Sequence, residues 1–104
     1  MKIAITSTGD TLTSFLDPRF GRCSFFVIYD TESKETVFIP NEGKTAEEGA
    51  GPVAVQQIAS CNVEKVVSGE FGIKIKSLLS DLNIQMILLK DKKDIQSIID
   101  LLNH

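Results

Sequence analysis

Residues 65–89, KVVSGEFGIKIKSLLSDLNIQMILL, have the apolar pattern of a strand, a helix and a second strand. The β-branched run at residues 65–67 predicts a short strand, and residues 84–89 predict another. Between them, apolar side chains recur at helical spacing: Phe71, Ile75, Leu78, Leu79 and Leu82. Crossover connections of this kind are right-handed, so we expect the two strands to lie parallel in one sheet.

Three further strands are predicted in the first half of the chain, at residues 3–5, 25–29 and 36–39. A polar connection of hairpin length separates the last two, so these should pair antiparallel. The first strand is a short apolar run bounded by polar residues, which is typical of a strand buried on both faces at the centre of a sheet.

A polar loop at residues 41–49 precedes the first predicted helix. Pro52 suits the first helical position, because an N–H group there would have no partner and proline has none. The residues that follow on one face of this helix are Val55, Ile58, Ala59 and Asn62. A closing amphipathic helix is predicted from Ile95, Ile98, Ile99 and Leu102. The element order βββαβαβα therefore predicts an α/β fold in three layers, with a mixed five-stranded sheet and helices on both faces.

The composition is that of an ordinary globular chain, and residues 1–104 are expected to form a single domain. A net charge of −3 argues against a nucleic-acid binder, which needs a basic face to neutralise phosphates. The basic run at residues 90–94 is interrupted by Asp91 and Asp94, so it is interpreted as a solvated helix start.

The compartment is inferred from the same composition. No apolar run approaches the ~20 residues that span a bilayer. The 2 cysteines form neither a disulfide framework nor a closed zinc site. We therefore expect a cytoplasmic protein that binds no membrane. We also expect a monomer, because no strongly apolar exposed stripe is visible.

Three loops are expected to meet outside the carboxyl ends of the parallel strands, where open α/β sheets collect their ligands. They are residues 6–22, residues 49–52 and residues 68–72. Arg19 and Arg22 supply permanently charged, forked donors, and the helix that starts at the glycine motif adds unpaired N–H groups. The pattern predicts a site for a compact polyanion, which is phosphate, a carboxylate-bearing metabolite or an anionic metal–sulfur cluster.

These residues also have a purely structural explanation. Gly49, Gly51 and Pro52 fit a helix start that needs tight backbone conformations. The two arginines fit surface ion pairs with Asp17 or Glu70, and such pairs contribute under ~1 kcal/mol. The sequence alone leaves both explanations open.

Few other residues carry chemistry. Cys23 follows the arginine motif and lies close enough to the loops to offer a thiolate to a soft metal, although a buried, inert thiol is the commoner state. Cys61 is expected on the opposite side of the domain, and Phe20 inside the core. The only histidine, His104, is terminal, so no histidine-based catalytic or zinc site is predicted. The nearby carboxylates are interpreted as surface groups: Asp10, Asp17 and Glu70.

Three motifs in this order resemble the dinitrogenase iron–molybdenum cofactor biosynthesis family: Lys2-Ile3-Ala4-Ile5, Pro18-Arg19-Phe20-Gly21-Arg22-Cys23 and Gly49-Ala50-Gly51-Pro52. The resemblance covers nearly the whole chain and implies a ribonuclease H-like fold with strand order 3-2-1-4-5. That family includes small nitrogenase cofactor carriers and orange-protein-like members. It therefore implies transient, non-catalytic binding of an iron–molybdenum or other molybdenum or iron–sulfur cluster. This chain has Arg19 where many members have histidine.

Two functional hypotheses follow from the motifs and the resemblance. The first is a small carrier of an anionic metal–sulfur cluster or its precursor, with Cys23 as a metal ligand and a cofactor-binding set drawn from the three loops: Arg19, Phe20, Gly21, Arg22, Gly49, Ala50, Gly51, Pro52 and Gly69. The second is a metal-free regulatory module that docks on a partner ATPase or a cofactor-maturation enzyme. A ribonuclease H-type nuclease is disfavoured, because the carboxylate cluster that it needs is missing.

Overall fold

The computed structural model describes residues 1–103, and His104 lies outside the described residues. Within that part of the chain, five strands and three helices follow one another in the expected order. They are β1 (Lys2–Ser7), β2 (Phe25–Asp30), β3 (Thr36–Pro40), α1 (Ala50–Ser60), β4 (Val63–Ser68), α2 (Ile73–Asp81), β5 (Gln85–Leu88) and α3 (Ile95–Leu102). None of the helices in residues 1–103 combines the length and the apolar character that crossing a membrane requires.

The five strands form one mixed sheet in the order β3-β2-β1-β4-β5. β1 is central, with β2 antiparallel on one side and β4 parallel on the other. β3 pairs antiparallel with β2, and β5 pairs parallel with β4. The expected α/β fold, its strand order and its central first strand are therefore confirmed. The carboxyl ends of β1, β4 and β5 share one edge of the sheet.

Side chains alternate across the sheet and build a separate core on each face. Ala4 and Val66 lie on the face covered by α1 and α2, where Ala54, Ile58 and Leu79 complete the packing. The opposite face is covered by α3 and holds a second set of buried side chains: Ile3, Ile5, Val67, Ile95, Ile98 and Ile99. Helices therefore cover both faces, and this confirms the expected three layers.

Two helices start at other residues than the apolar pattern indicated. α1 begins at Ala50, so Pro52 is inside its first turn. A proline is tolerated there because the first four N–H groups of a helix have no intrahelical partner. Asn62, expected on the helical face, is instead an exposed turn residue with φ 60° beyond the helix end. α2 begins only after Phe71, whose ring packs 5.9 Å from that of Phe20.

Candidate functional site

The three loops expected to converge meet at the carboxyl edge of β1, β4 and β5. The loop after β1 contacts the start of α1, because a Cβ atom on Gly21 would lie 3.2 Å from Cα of Gly51. The same loop contacts the turn after β4, where a Cβ atom on Gly69 would lie 2.5 Å from Cα of Pro18. Side chains at Gly21 and Gly69 would push these backbones apart, so the two glycines hold the loops together.

Buried hydroxyls at the ends of β1 and β4 anchor the loop that carries the arginines. Thr6 Oγ1 donates to the carbonyl of Asp17 at 2.6 Å and lies 3.1 Å from Ser68 Oγ. Both hydroxyl side chains are fully buried. The loop is therefore fixed to the sheet by hydrogen bonds that water does not reach.

Asp17 fixes the position of Arg19. Its buried carboxylate accepts the backbone N–H of Arg19 at 2.9 Å, and Nε and Nη2 of the guanidinium lie 3.3 Å from its two oxygens. The hydrogen bond to Asp17, followed by its charge, raises the pKa of Arg19. The Arg19 side chain remains 58% exposed, so it is held on one edge and open to solvent on the other. An ion pair with Asp17 is therefore present and orients Arg19, but the expectation that Asp17 is a surface group was wrong, because its side chain is only 3% exposed.

Arg22 joins the loop after β1 to the polar loop before α1. Its Nη1 donates to the carbonyls of Lys44 and Ala46 at 2.8 and 2.6 Å. Glu47 and Glu48 follow in the same loop and are exposed, and in residues 1–103 neither forms an ion pair with Arg19 or Arg22.

Asn41 makes a second connection between these loops, and it was not among the residues predicted from the sequence. Its buried Nδ2 donates to the carbonyls of Gly21 and Cys23 at 3.0 and 2.9 Å. Its Oδ1 accepts the N–H of Gly43 at 2.9 Å, which is an Asx turn. An asparagine two residues before a glycine is a local signal for that turn, but no local signal indicates the two longer contacts.

Cys23, the predicted metal ligand, lies inside the core. Its side chain is 0% exposed, and its Sγ donates to the carbonyl of Phe20 at 3.4 Å. Burial, and next the charge of Asp17, raise the pKa of the thiol from 9.0 to about 12. The thiolate needed for metal binding is therefore strongly disfavoured near neutral pH. Cys61 lies at the C-terminal end of α1 and is half-buried.

α1 begins without a side-chain cap. Gly49 has φ 71°, in the left-handed region that favours glycine, and no side chain accepts a hydrogen bond at this cap position. The first turn also contains no acidic residue, so nothing in it offsets the positive end of the helix. This start lies against the arginine loop. We call the combined surface the arginine cradle: Arg19, Arg22 and residues 49–52.

Three residues of the predicted cofactor-binding set are buried and present no side chain to a ligand at this surface. Phe20 is 3% exposed and its ring packs 5.6 Å from that of Phe26. Ala50 and Gly69 are also buried. These residues shape and support the cradle, whereas Arg19 and Arg22 present accessible donors.

A groove of about 530 Å³ opens at the same edge of the sheet. Its walls are the loop after β1, the turn after β4 and the connection between β5 and α3. We call it the lysine groove, and it is lined by Thr8, Phe15, Leu16, Pro18, Gly69, Glu70, Leu89, Lys90, Asp91 and Lys92. This groove was not predicted from the sequence, because alternating charges after β5 are equally typical of a solvated helix start.

In the described residues 1–103, no three His, Cys, Asp or Glu side chains lie together in an arrangement that could hold a metal ion. The donors that the cradle does offer are guanidinium and backbone N–H groups. Both types are suited to an anion.

A family model described as dinitrogenase iron–molybdenum cofactor matches residues 1–104. The chain belongs to this family. The match confirms the resemblance carried by the three motifs, and it includes both the arginine cradle and the lysine groove.

Three relatives illustrate how far the likeness extends. The apo form of the orange protein from Desulfovibrio gigas superimposes with a TM-score of 0.90 at 26% identity, covering 97% of this chain and 85% of that chain. A NifB-like protein from Thermotoga superimposes with a TM-score of 0.84 at 30% identity, with the same coverage of 97% and 85%. An uncharacterized protein of Methanocaldococcus jannaschii is 29% identical over 89 residues, which are 83% of this chain and 72% of that protein.

Proposed function

We propose that this protein is a small, non-catalytic carrier of an anionic metal–sulfur cluster or its precursor, held noncovalently by the arginine cradle. The observation that carries the proposal is the contact of Gly21 with Gly51, which joins the arginine loop to the uncapped start of α1. In this proposal, two permanently charged side chains and the positive end of a helix act on the same anion. Family membership supports an iron–molybdenum cluster, or another molybdenum or iron–sulfur cluster, as the cargo.

The two arginines have different roles in this proposal. Arg19 is oriented by Asp17, whose carboxylate also offsets part of its charge. Arg22 donates to two neutral carbonyls, so its full charge remains available to an anion. Oxo or sulfido groups of the cargo would accept hydrogen bonds from the guanidinium edges and from the free N–H groups of the first turn of α1.

We leave Cys23 out of the proposed site, since a buried thiol with a pKa of about 12 is a poor metal ligand. Both cysteines are free thiols, which suits the reducing cytoplasm as the place of action. A transiently held cluster needs a recipient, and we expect this to be a cofactor-maturation protein.

The test is an anaerobic titration of isotopically labelled protein with the dianion tetrathiomolybdate, followed by backbone amide shifts. We expect saturable shifts confined to the arginine cradle and its supporting loops. Arg19→Gln and Arg22→Gln keep amide donors but remove the charges. Each should weaken binding at least about tenfold, because a hydrogen bond to a charged group contributes roughly 1.5–3 kcal/mol.

Lys2→Gln is the matched control, because it removes one positive charge at the amino end of β1, away from the cradle. It should leave the affinity unchanged. Equal affinity of the Arg19→Gln/Arg22→Gln double variant and the wild type would reject the cradle as the cargo site. Absence of any saturable shift at millimolar tetrathiomolybdate would reject the carrier function itself.

A further inference from the structure

The lysine groove is a preformed cavity that the proposed carrier function does not use. Its walls are joined by backbone hydrogen bonds from Leu16 N–H to Lys93 O at 2.9 Å and from Ile95 N–H to Ser14 O at 2.9 Å. A further bond runs from Leu89 N–H to Ser68 O at 3.0 Å. The groove is therefore held open without a ligand, which lowers the entropic cost of binding one.

The volume and lining of the groove match those of small-molecule sites. Such sites have roughly 300–1,000 Å³ and mostly apolar walls with a few polar groups, and this groove has about 530 Å³. Leu16, Pro18 and Leu89 contribute apolar surface. Phe15 adds an aromatic ring that is 44% exposed.

Two lysines supply the polar anchor. The ammonium group of Lys92 lies 5.2 Å from the centroid of the Phe15 ring, which holds this charge next to the apolar wall by a cation–π contact. Lys90 lines the same groove and is exposed. A ligand with an apolar ring and an acidic group would pack against Phe15 and pair with these ammonium groups.

Glu70 and Asp91 limit the negative charge that a ligand of this groove can have. Both line the groove, so the lining contains two acids beside two lysines. Attraction to the two lysines and repulsion from the two carboxylates both increase with the charge of the ligand, so the lining offers no net attraction to a multiply charged cluster. A single acidic group can still pair with one ammonium group while the rest of the ligand packs on the apolar wall. The arginine cradle, in contrast, contains two arginines and no acid among its own residues.

We propose that the lysine groove binds a small organic monoanion with a flat apolar body, such as an aromatic carboxylate or sulfonate, at a site separate from the arginine cradle. The proposal does not depend on the carrier function. The cradle and the groove have no residue in common but are neighbours, because Pro18 of the groove precedes Arg19 and the charge of Glu70 in the groove acts on Arg19.

The probe for the test is anilinonaphthalene sulfonate, a flat aromatic monoanion, followed by its fluorescence and by amide shifts. We expect saturable binding of one probe per chain, with shifts at the groove lining. Phe15→Leu and Lys92→Gln should each weaken binding about fivefold. Leu101→Ala, which shortens an exposed apolar side chain on α3, and Lys2→Gln are the matched controls and should have no effect.

A competition with tetrathiomolybdate separates the two proposals. Simultaneous binding of both compounds supports two sites. Binding of the sulfonate to the groove, with no binding of tetrathiomolybdate anywhere, sinks the carrier function and leaves the groove proposal standing. Competitive displacement from the groove, shifts scattered over exposed apolar residues, or unchanged affinity in Phe15→Leu and Lys92→Gln would each overturn the groove proposal.

Discussion

The starts of α1 and α3 lie at the same edge of the sheet but are completed in opposite ways. Asp94 is the N-cap residue that precedes α3, and its carboxylate accepts the N–H of Ser97 at 2.9 Å. The N-cap residue of α1 is Gly49, which has no side chain to do this, and the first turn of α1 contains no acid. At α3, a side chain of the protein itself therefore accepts a hydrogen bond from an N–H group of the first helical turn. At α1 the chain leaves the positive end of the helix without a cap, near the loop that carries two arginines, and this difference is the basis of the proposed anion site.

The largest expected effect comes from giving α1 a carboxylate like that of α3. Gly49→Asp adds a negative charge to the arginine cradle, at a position where an added Cβ meets nothing within 4 Å. We expect tetrathiomolybdate to bind at least about tenfold more weakly than it does to Gly49→Asn, as measured by the same titration. Asparagine is the matched control, because both side chains share the strain of a left-handed backbone and differ in charge. Equal affinities of the two variants would contradict an electrostatic role for this helix start.

A moderate effect is expected from removing the cap of α3. Asp94→Ala should lower the free energy of unfolding by about 1 kcal/mol, as measured by urea denaturation, because an orphan N–H group loses its acceptor. Asp94→Asn should be nearly neutral at neutral pH, since asparagine caps helices equally well. Tetrathiomolybdate binding should not change in either variant. If Asp94→Ala bound tetrathiomolybdate more weakly than the wild type, the starts of α1 and α3 would not be independent.

The pH dependence of the same cap follows from the pKa of Asp94, which the hydrogen bonds from Ser97 lower from 3.8. The cap therefore stabilises the fold fully above pH 3.8, the ordinary pKa of the carboxyl group. This contribution is lost as the pH falls through the lower pKa of the folded state. Asp94→Asn should accordingly be less sensitive to acid than the wild type.

The smallest expected signal is the reactivity of Cys23, which lies beneath the arginine loop. Near pH 8, dithionitrobenzoate should modify Cys61 in the folded protein and reach Cys23 only after denaturation. The pKa of Cys23 is raised from 9.0 to about 12, so the fold should lose stability as the pH rises through that interval. Rapid modification of both thiols in the native state would mean that the uncapped start of α1 and its neighbouring loop open frequently.

The sheet was predictable because its strands are encoded locally. Val66 and Val67 are β-branched neighbours whose side chains enter opposite cores, and the polar connection before Thr36 indicates an antiparallel hairpin. The convergence of the loops followed from the geometry of parallel strands. The predicted start of α1 was less accurate, because a proline fits anywhere in a first helical turn.

The lysine groove was not predictable in the same way. It depends on the pairing of Phe15 with Asp94, a contact between residues far apart in the chain that leaves no periodic pattern. The buried Cys23 sulfur likewise contacts Asn41 and the carbonyl of Phe20, which no local pattern indicates. Sequence motifs identified which residue types share an edge, whereas long-range packing decides which of them reach solvent.

The central place of β1 also sets the order in which the sheet can be completed. β1 can pair with β2 early, since only one loop separates them, but its other neighbour is β4, whose first paired residue is Val63. Closing that long loop costs more entropy than forming the β2–β3 hairpin, so it belongs to a late, slow stage of folding. Until then, the edge of the future central strand is unpaired, and partially folded chains can associate through it. Recombinant production should therefore benefit from slow synthesis at low temperature.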